Sequence, residues 1–269
     1  MTEIKPEQSV ELLKELHILT ADGKMNQDSR RKLKQIYHLY QFIENILNEL
    51  DTSSTTLNLV DHGAGKSYLG FILYDLFFKK LKDKGHIYGV ETRSELIEKS
   101  EQLKKKLNFD RMSFINLSVS QSQESNLIPE TVEIVTALHA CDTATDDAID
   151  FALQKKAKNI VLIPCCQAEV ASLLRQNKKY SLSSPFVELF RHAIHTREFG
   201  SHLTNVLRCL RLEAHGYDVT VTELVGFEHS MKNELIIARQ KNKKNQTAND
   251  RIQTLLSEFK IKELSERFN

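Results

Sequence analysis

The chain has no tryptophan, only four cysteines and almost no net charge: 37 lysines and arginines stand against 36 aspartates and glutamates in 269 residues, leaving +1. So even a balance excludes a molecule that binds nucleic acid through its overall charge. Nine glycines and four prolines are too few for a collagen-like or low-complexity chain. No apolar run reaches the roughly 18 residues that a membrane-spanning helix needs. The opening Met1-Thr2-Glu3-Ile4-Lys5-Pro6 has neither the basic start nor the apolar core of a secretory leader. A cytoplasmic protein with no membrane partner is expected. Cys141, Cys165, Cys166 and Cys209 lack paired metal-ligand spacing, and two adjacent thiols make a poor disulfide framework, so reduced thiols and no metal site are expected. With 41% hydrophobic and 27% charged residues, the chain can bury a full globular core.

The chemistry that is present begins in Leu57-Asn58-Leu59-Val60-Asp61-His62-Gly63-Ala64-Gly65-Lys66-Ser67-Tyr68-Leu69. An apolar run ends in a carboxylate, turns on two glycines and launches an amphipathic segment, the pattern of a nucleoside-binding strand, loop and helix. Gly65-Lys66-Ser67 resembles the end of a phosphate loop, but the glycine that loop needs five residues earlier is Val60. A dinucleotide loop wants a third glycine where Tyr68 stands. Adenosine without a pyrophosphate needs only the two glycines, so the D-x-G-x-G pattern points to S-adenosylmethionine and methyl transfer. Asp61, Gly63, Gly65, Lys66 and Tyr68 are the expected cofactor-binding residues. A second apolar run, Gly85-His86-Ile87-Tyr88-Gly89-Val90-Glu91, ends in an acid placed to grip both ribose hydroxyls; a plain surface acid is the competing reading of Glu91. Lys66 is expected in the first helical turn, where a cation opposes the helix dipole and calls for a ligand or carboxylate partner.

Three regions are expected: an N-terminal helical arm over residues 1–55, a cofactor-binding domain over 56–240 and a polar, partly helical tail over 241–269. Apolar residues at helical spacing, among them Leu33, Ile36, Tyr37, Tyr40, Ile43 and Leu47, predict a docking helix over 27–50 after a shorter one near 7–17. Strands are predicted near 57–61, 86–91, 112–117, 132–138 and 159–164, mostly separated by enough chain for a helical crossover, which implies a parallel sheet. Tyr217 to Leu224 and Glu234 to Arg239 are joined by too few residues for a crossover and predict an antiparallel hairpin. Together these give an α/β, Rossmann-like, seven-stranded methyltransferase sheet. A weak amphipathic helix, Ile252 to Phe268, closes the chain, covering a sheet edge or staying mobile. Lysine clusters at 79–84, 104–106 and 241–244 read as solvated helix ends, with local nucleic-acid contact as the alternative.

Two further segments follow predicted strands: Ala137-Leu138-His139-Ala140-Cys141-Asp142-Thr143-Ala144-Thr145-Asp146-Asp147-Ala148 and Ile163-Pro164-Cys165-Cys166-Gln167. With Asp61 to Leu69 and the turn Glu228-His229-Ser230-Met231-Lys232-Asn233, they resemble the methyltransferases that include the methyltransferase-like 25 proteins and the domain fused to a glutathione-transferase-like region. They are also similar to eukaryotic acceptor-stem tRNA 2'-O-methyltransferases. The resemblance covers roughly residues 30 to 240. It implies the class I methyltransferase fold, the S-adenosylmethionine cofactor and an RNA acceptor, tRNA or rRNA. His62, Ser67 and Asp142 depart from the pattern: the resembled enzymes often carry a small or aliphatic residue at the first place and glycine at the other two.

His139 is a candidate acid, base or orienting group that also faces the cofactor, although a histidine ending an apolar strand is as readily a packing residue. Asp142 is a candidate to position the nucleophile, while capping of the following helix is expected from at least one of Asp142, Thr145 and Asp146. Cys165, with Cys141, has the topology of a thiolate that adds to cytosine before C5 methylation, against a plain pocket-lining role. Direct in-line transfer is the leading mechanism, because the sulfonium methyl is already activated. A protein acceptor and a non-catalytic adenosyl-binding module are the remaining alternatives.

Overall fold

The computed structural model describes residues 4–51, 56–81, 83–138, 140, 142–164, 167–177, 185–224, 234–241 and 245–269. Two helices come first, α1 (Val10–Glu15) and α2 (Gln27–Asp51). Then β1 (Leu57–His62), α3 (Tyr68–Leu76), β2 (Gly85–Glu91), α4 (Ser94–Leu107), β3 (Met112–Asn116), α5 (Val119–Gln123), β4 (Ile134–Ala137), α6 (Thr143–Gln154) and β5 (Asn159–Leu162) alternate. After α7 (Glu169–Asn177) and α8 (Ala193–Ala214) come β6 (Tyr217–Glu223), β7 (Glu234–Gln240), α9 (Gln246–Glu258) and the short α10 (Ser265–Phe268).

The seven strands form one sheet in the order β3-β2-β1-β4-β5-β7-β6. β1 pairs in parallel with β2 and β4, and the other neighbours up to β5 are also parallel. β7 lies antiparallel between β5 and β6. This is the expected class I methyltransferase sheet. The central strands β4 and β5 are buried at every position, as strands covered on both faces must be, whereas edge strand β6 is mostly exposed. The order reverses between β1 and β4, so their carboxyl ends open a crevice where such sheets bind ligands.

The apolar stripe of α2 carries Leu33, Tyr40, Ile43 and Leu47 into the same core as Leu12 and Leu13 of α1, Phe71 of α3 and Leu59 of β1. Each such fully buried aliphatic side chain contributes about 2 kcal/mol. On the opposite face, Val60, Val135 and Ile160 pack with Ile149 and Phe151 of α6. The C-terminal helix differs from its expected extent. α9 ends at Glu258, and Lys260 takes a left-handed conformation at φ 54° before the chain restarts at Ile261. Neither segment is left loose: Ile252, Leu256, Ile261 and Phe268 pack against Leu203 and Leu207 of α8. Among the described residues, no helix is long and apolar enough to cross a membrane.

Candidate active site

A cavity of about 930 Å³ occupies the crevice, lined from the strand ends by Asp61, Glu91, Leu117, Leu138, Ile163 and Leu224. The glycine loop closes one side. Gly63 and Gly65 have φ of 64° and 58°, and Ser67, standing where the resembled enzymes have glycine, keeps a left-handed φ of 51°. The backbone shape is therefore retained without the residue that adopts it most easily. A Cβ on Gly65 would point towards the Arg93 guanidinium at 3.8 Å, across the mouth of the cavity. The loop is tied to β2 by the Ala64 N–H, which donates to the Val90 carbonyl at 3.1 Å. Ser67 is the N-cap of α3, which places Lys66 before the helix rather than in its first turn. Lys66 is exposed at the loop's outer edge, just ahead of the helix, and lines the cavity.

The two carboxylates of the cavity live in opposite electrostatic settings. Glu91 accepts from the Gly65 N–H at 2.9 Å, from Arg93 through Nε and Nη2 at 3.1 Å each, and from the Thr92 and Arg93 N–H groups. Burial pushes its pKa up, but these bonds and the Arg93 charge together outweigh burial and hold it down at about 2. Asp61 has a much poorer shell. Thr136 Oγ1 donates to it at 2.6 Å, yet burial, with the Glu91 charge adding to it, pushes the carboxyl up to about 7. A buried carboxylate in that state is stabilised by any cation that enters beside it.

The next residue, His62, points to the other face of the sheet, with its ring against Phe151 at 4.4 Å between centroids. Among the described residues neither ring nitrogen has a partner, and burial pushes its pKa down to about 3. It is a neutral packing residue, in keeping with a place where the resembled enzymes often carry a small or aliphatic side chain.

Across the crevice, the ends of β4 and β5 are held by a buried polar network. Arg208 of α8 is wholly buried, and its Nε and Nη2 donate to Asp146 at 2.7 Å each. Nη2 also donates to the Asp142 carbonyl at 2.8 Å, and Nη1 to Asn205 at 3.3 Å. Gln167 and Asn205 bond at 2.8 Å, Ser201 donates to Gln167, and Asn205 donates to Glu234 at the start of β7. Asp142 itself has φ 52° and ψ −123°, a conformation suited to glycine, and its Oδ1 accepts from the Ala168 N–H at 3.2 Å. The expected helix cap is absent. Asp142 makes no side-chain cap bond, Thr145 Oγ1 donates to the Ala140 carbonyl, and Asp146 is committed to Arg208. Remote partners outcompete the local N–H groups for Asp142 and Asp146, and the preceding turn does so for Thr145.

Asp61, Gly63, Gly65, Lys66, Tyr68 and Glu91 all line the one cavity. His139, Cys141, Cys165 and Cys166 lie outside the described residues, as do Glu228 to Asn233. The sequence predicts α2 as a docking helix, but not that its Lys32, Gln35, Ile36 and Leu39 line the cavity. The available signal was a lysine and a glutamine at helical spacing with Ile36 and Leu39 on the inward side. Sequence reasoning also missed Arg208, for which no local pattern gave a sign.

Residues 31–173, more than half of the chain, match a family described as a methyltransferase domain, and the chain belongs to that family. It is an S-adenosylmethionine-dependent methyltransferase by class. Solved structures similar to it include a magnesium protoporphyrin IX methyltransferase with bound SAH from Synechocystis, at 12% identity over 86% of this chain and 93% of that one, TM-score 0.47. A precorrin-6y C5,15-methyltransferase from Geobacter metallireducens is similar at 17% identity, over 73% of this chain and 86% of that one, TM-score 0.42. An rRNA methylase from Streptococcus thermophilus is similar at 9% identity, over 70% and 88%, TM-score 0.43. The acceptors in these names belong to those proteins. No curated protein matches the chain.

The residues present fit the cofactor. The cavity is within the usual range of about 300–1,000 Å³ for small-molecule sites. Its glycine loop leaves room that a side chain would fill, apolar Leu117 and Val119 flank the strand ends, and Asp61 lacks a cationic partner among the described residues.

Proposed function

We propose that this enzyme methylates RNA, at a ribose 2'-hydroxyl of a tRNA-like substrate, and that it is related to the methyltransferase-like 25 proteins and the acceptor-stem tRNA enzymes. The observation that carries the donor half of this reading is Asp61: a buried carboxylate, hydrogen-bonded only by Thr136 among the described residues, at the switch point of the sheet beside two positive-φ glycines. The sulfonium supplies a methyl group already activated for displacement. Asp61 then takes the cationic amino-acid end, and Glu91, once Arg93 swings off it into solvent, takes the ribose. Arg93 is exposed enough to do so, with 59% of its side chain open to solvent. Leu138, Ala140 and Ile163 enclose the reacting side and exclude water.

The acceptor half is supported by the three ordered motifs and by a second cavity of about 380 Å³ that shares Lys66 and Tyr68 with the first and continues past Lys99 and Lys106 of α4. Lys66 and Lys99 along this path suit a phosphate backbone, while Lys106 is paired with Glu15 of the same lining at 2.6 Å. His139 assists loss of the hydroxyl proton, with Asp142 positioning the nucleophile. Labelled S-adenosylmethionine, added with the purified enzyme to total RNA and total protein from a strain lacking it, is expected to mark RNA of tRNA size. Label in protein alone would replace the RNA reading with a protein acceptor.

A further inference from the structure

Three cations line the donor cavity, and they are not equivalent. Arg93 bonds Glu91 twice at 3.1 Å, and on the reading above it leaves the cavity for solvent when the ribose takes Glu91. Lys32 and Lys66 have no carboxylate partner among the described residues. Lys32 is nevertheless held in place: its Nζ lies 3.5 Å from the centroid of the Tyr68 ring, and Tyr68 lines the same cavity. A cation over an aromatic face is positioned without being neutralised. Gln35, Ile36 and Leu39 follow Lys32 at helical spacing and also line the cavity, so this stretch of α2 belongs to the site. The charges are therefore divided, with Asp61 and Glu91 at the strand ends and Lys32 and Lys66 on the roof and the outer loop.

We propose that Lys32 and Lys66 seat the carboxylate of the donor's amino-acid end, which makes α2 part of the donor site and not only a docking helix. The inference rests on the donor reading given above. An amino-acid end carries an ammonium and a carboxylate on one carbon, and a cavity with Asp61 on one side and two uncommitted lysines on the other satisfies both. A phosphate of the acceptor is the other anion that would suit these cations, and the two sources are separable.

The experiment is calorimetric titration of the full chain with S-adenosylhomocysteine and with 5'-methylthioadenosine, which has the same nucleoside and thioether but no amino-acid end. Lys32→Met and Lys66→Met should each weaken S-adenosylhomocysteine about tenfold or more, the loss expected for one hydrogen bond to a charged group. Binding of 5'-methylthioadenosine should stay as in the parent, and Lys32→Arg should retain most of the homocysteine affinity. Unchanged S-adenosylhomocysteine affinity in both methionine variants overturns the proposal. So does an equal loss for both probes, which would mean a distorted cavity. Unchanged S-adenosylhomocysteine binding with weakened binding of a short oligoribonucleotide overturns it in favour of the acceptor's phosphate. A parent chain that binds neither probe fails at the donor reading itself.

Discussion

The two flanks of the crevice are built on different principles. On the flank of β1 and β2, the carboxylates are held by exposed or single partners: Glu91 bonds to Thr92 and to the exposed Arg93, one and two residues away, and to the Gly65 N–H across the loop, while Asp61 takes one bond, from Thr136. On the flank of β4 and β5, the partners are remote in sequence and buried: Arg208 holds Asp146 and the Asp142 carbonyl, and Asn205 joins Gln167 to Glu234. The first flank keeps carboxylates available to a ligand. The second ties the start of α6 and the segment before α7 to α8 through buried bonds. A donor site tolerates local rearrangement as it fills, while the reacting side must be held still.

The sharpest way to break this contrast is Arg208→Met. Removing one partner of a buried pair leaves Asp146 uncompensated, and chemical denaturation should show a loss of about 3–5 kcal/mol. Adding Asp146→Leu should restore much of it, since a buried pair replaced by apolar residues is often neutral. A loss below about 1 kcal/mol in the single variant would show that the network is not what fixes this flank.

Next come Asp61 and His62, adjacent in β1 and opposed in their response to pH. The Asp61 carboxyl titrates near 7 in the folded chain and near its ordinary value when unfolded, so its contribution to stability falls by about 1.4 kcal/mol for each unit that pH rises through that window. The His62 ring titrates near 3 when folded and near its ordinary value when unfolded, so its contribution falls by about 1.4 kcal/mol for each unit that pH drops through its own window. Between about pH 4 and 6.5 the two slopes cancel. Asp61→Asn should raise stability at pH 8, by up to about 4 kcal/mol, while exposing the acid-side slope of His62. His62→Leu should expose the reverse slope. Parallel stability profiles for parent and both variants would contradict this assignment.

Asp142 gives the smallest and most specific effect. Asp142→Ala keeps the unfavourable backbone and loses the carboxylate, whereas Asp142→Gly loses the carboxylate but relieves the backbone. The glycine variant should unfold later than the alanine variant by about 1–2 kcal/mol, and equal stability would show that no strain is held there.

The contrast between the flanks also decides what could be read from the sequence. The parallel strands and the antiparallel hairpin followed from apolar runs and the lengths between them, because those lengths decide whether a crossover helix fits. Asp61, the glycines and Glu91 were legible because each stands at a fixed place in a strand-and-turn segment, although the bonds to Thr136 and Gly65 are made across the fold. The capping expected at Asp142, Thr145 and Asp146 failed because Asp142 and Asp146 found partners remote in sequence, and Thr145 turned back to the Ala140 carbonyl. The break after α9 went unseen for a related reason: Lys260 takes its left-handed turn with no glycine or proline to mark it. Ser67 and Asp142 hide positive φ behind ordinary side chains in the same way. Lys32 and Gln35 were overlooked because an amphipathic helix is read by its apolar stripe, and the polar residues beside that stripe look solvated until a cavity is found beneath them.

The central claim is that the crevice at the β1–β4 switch point holds the methyl donor through Asp61 and Glu91. Titration of S-adenosylmethionine into the parent chain, Asp61→Ala and Glu91→Ala tests it directly. Saturable binding to the parent, weakened about tenfold or more in each variant, is the predicted result. Affinity unchanged in both variants would contradict it.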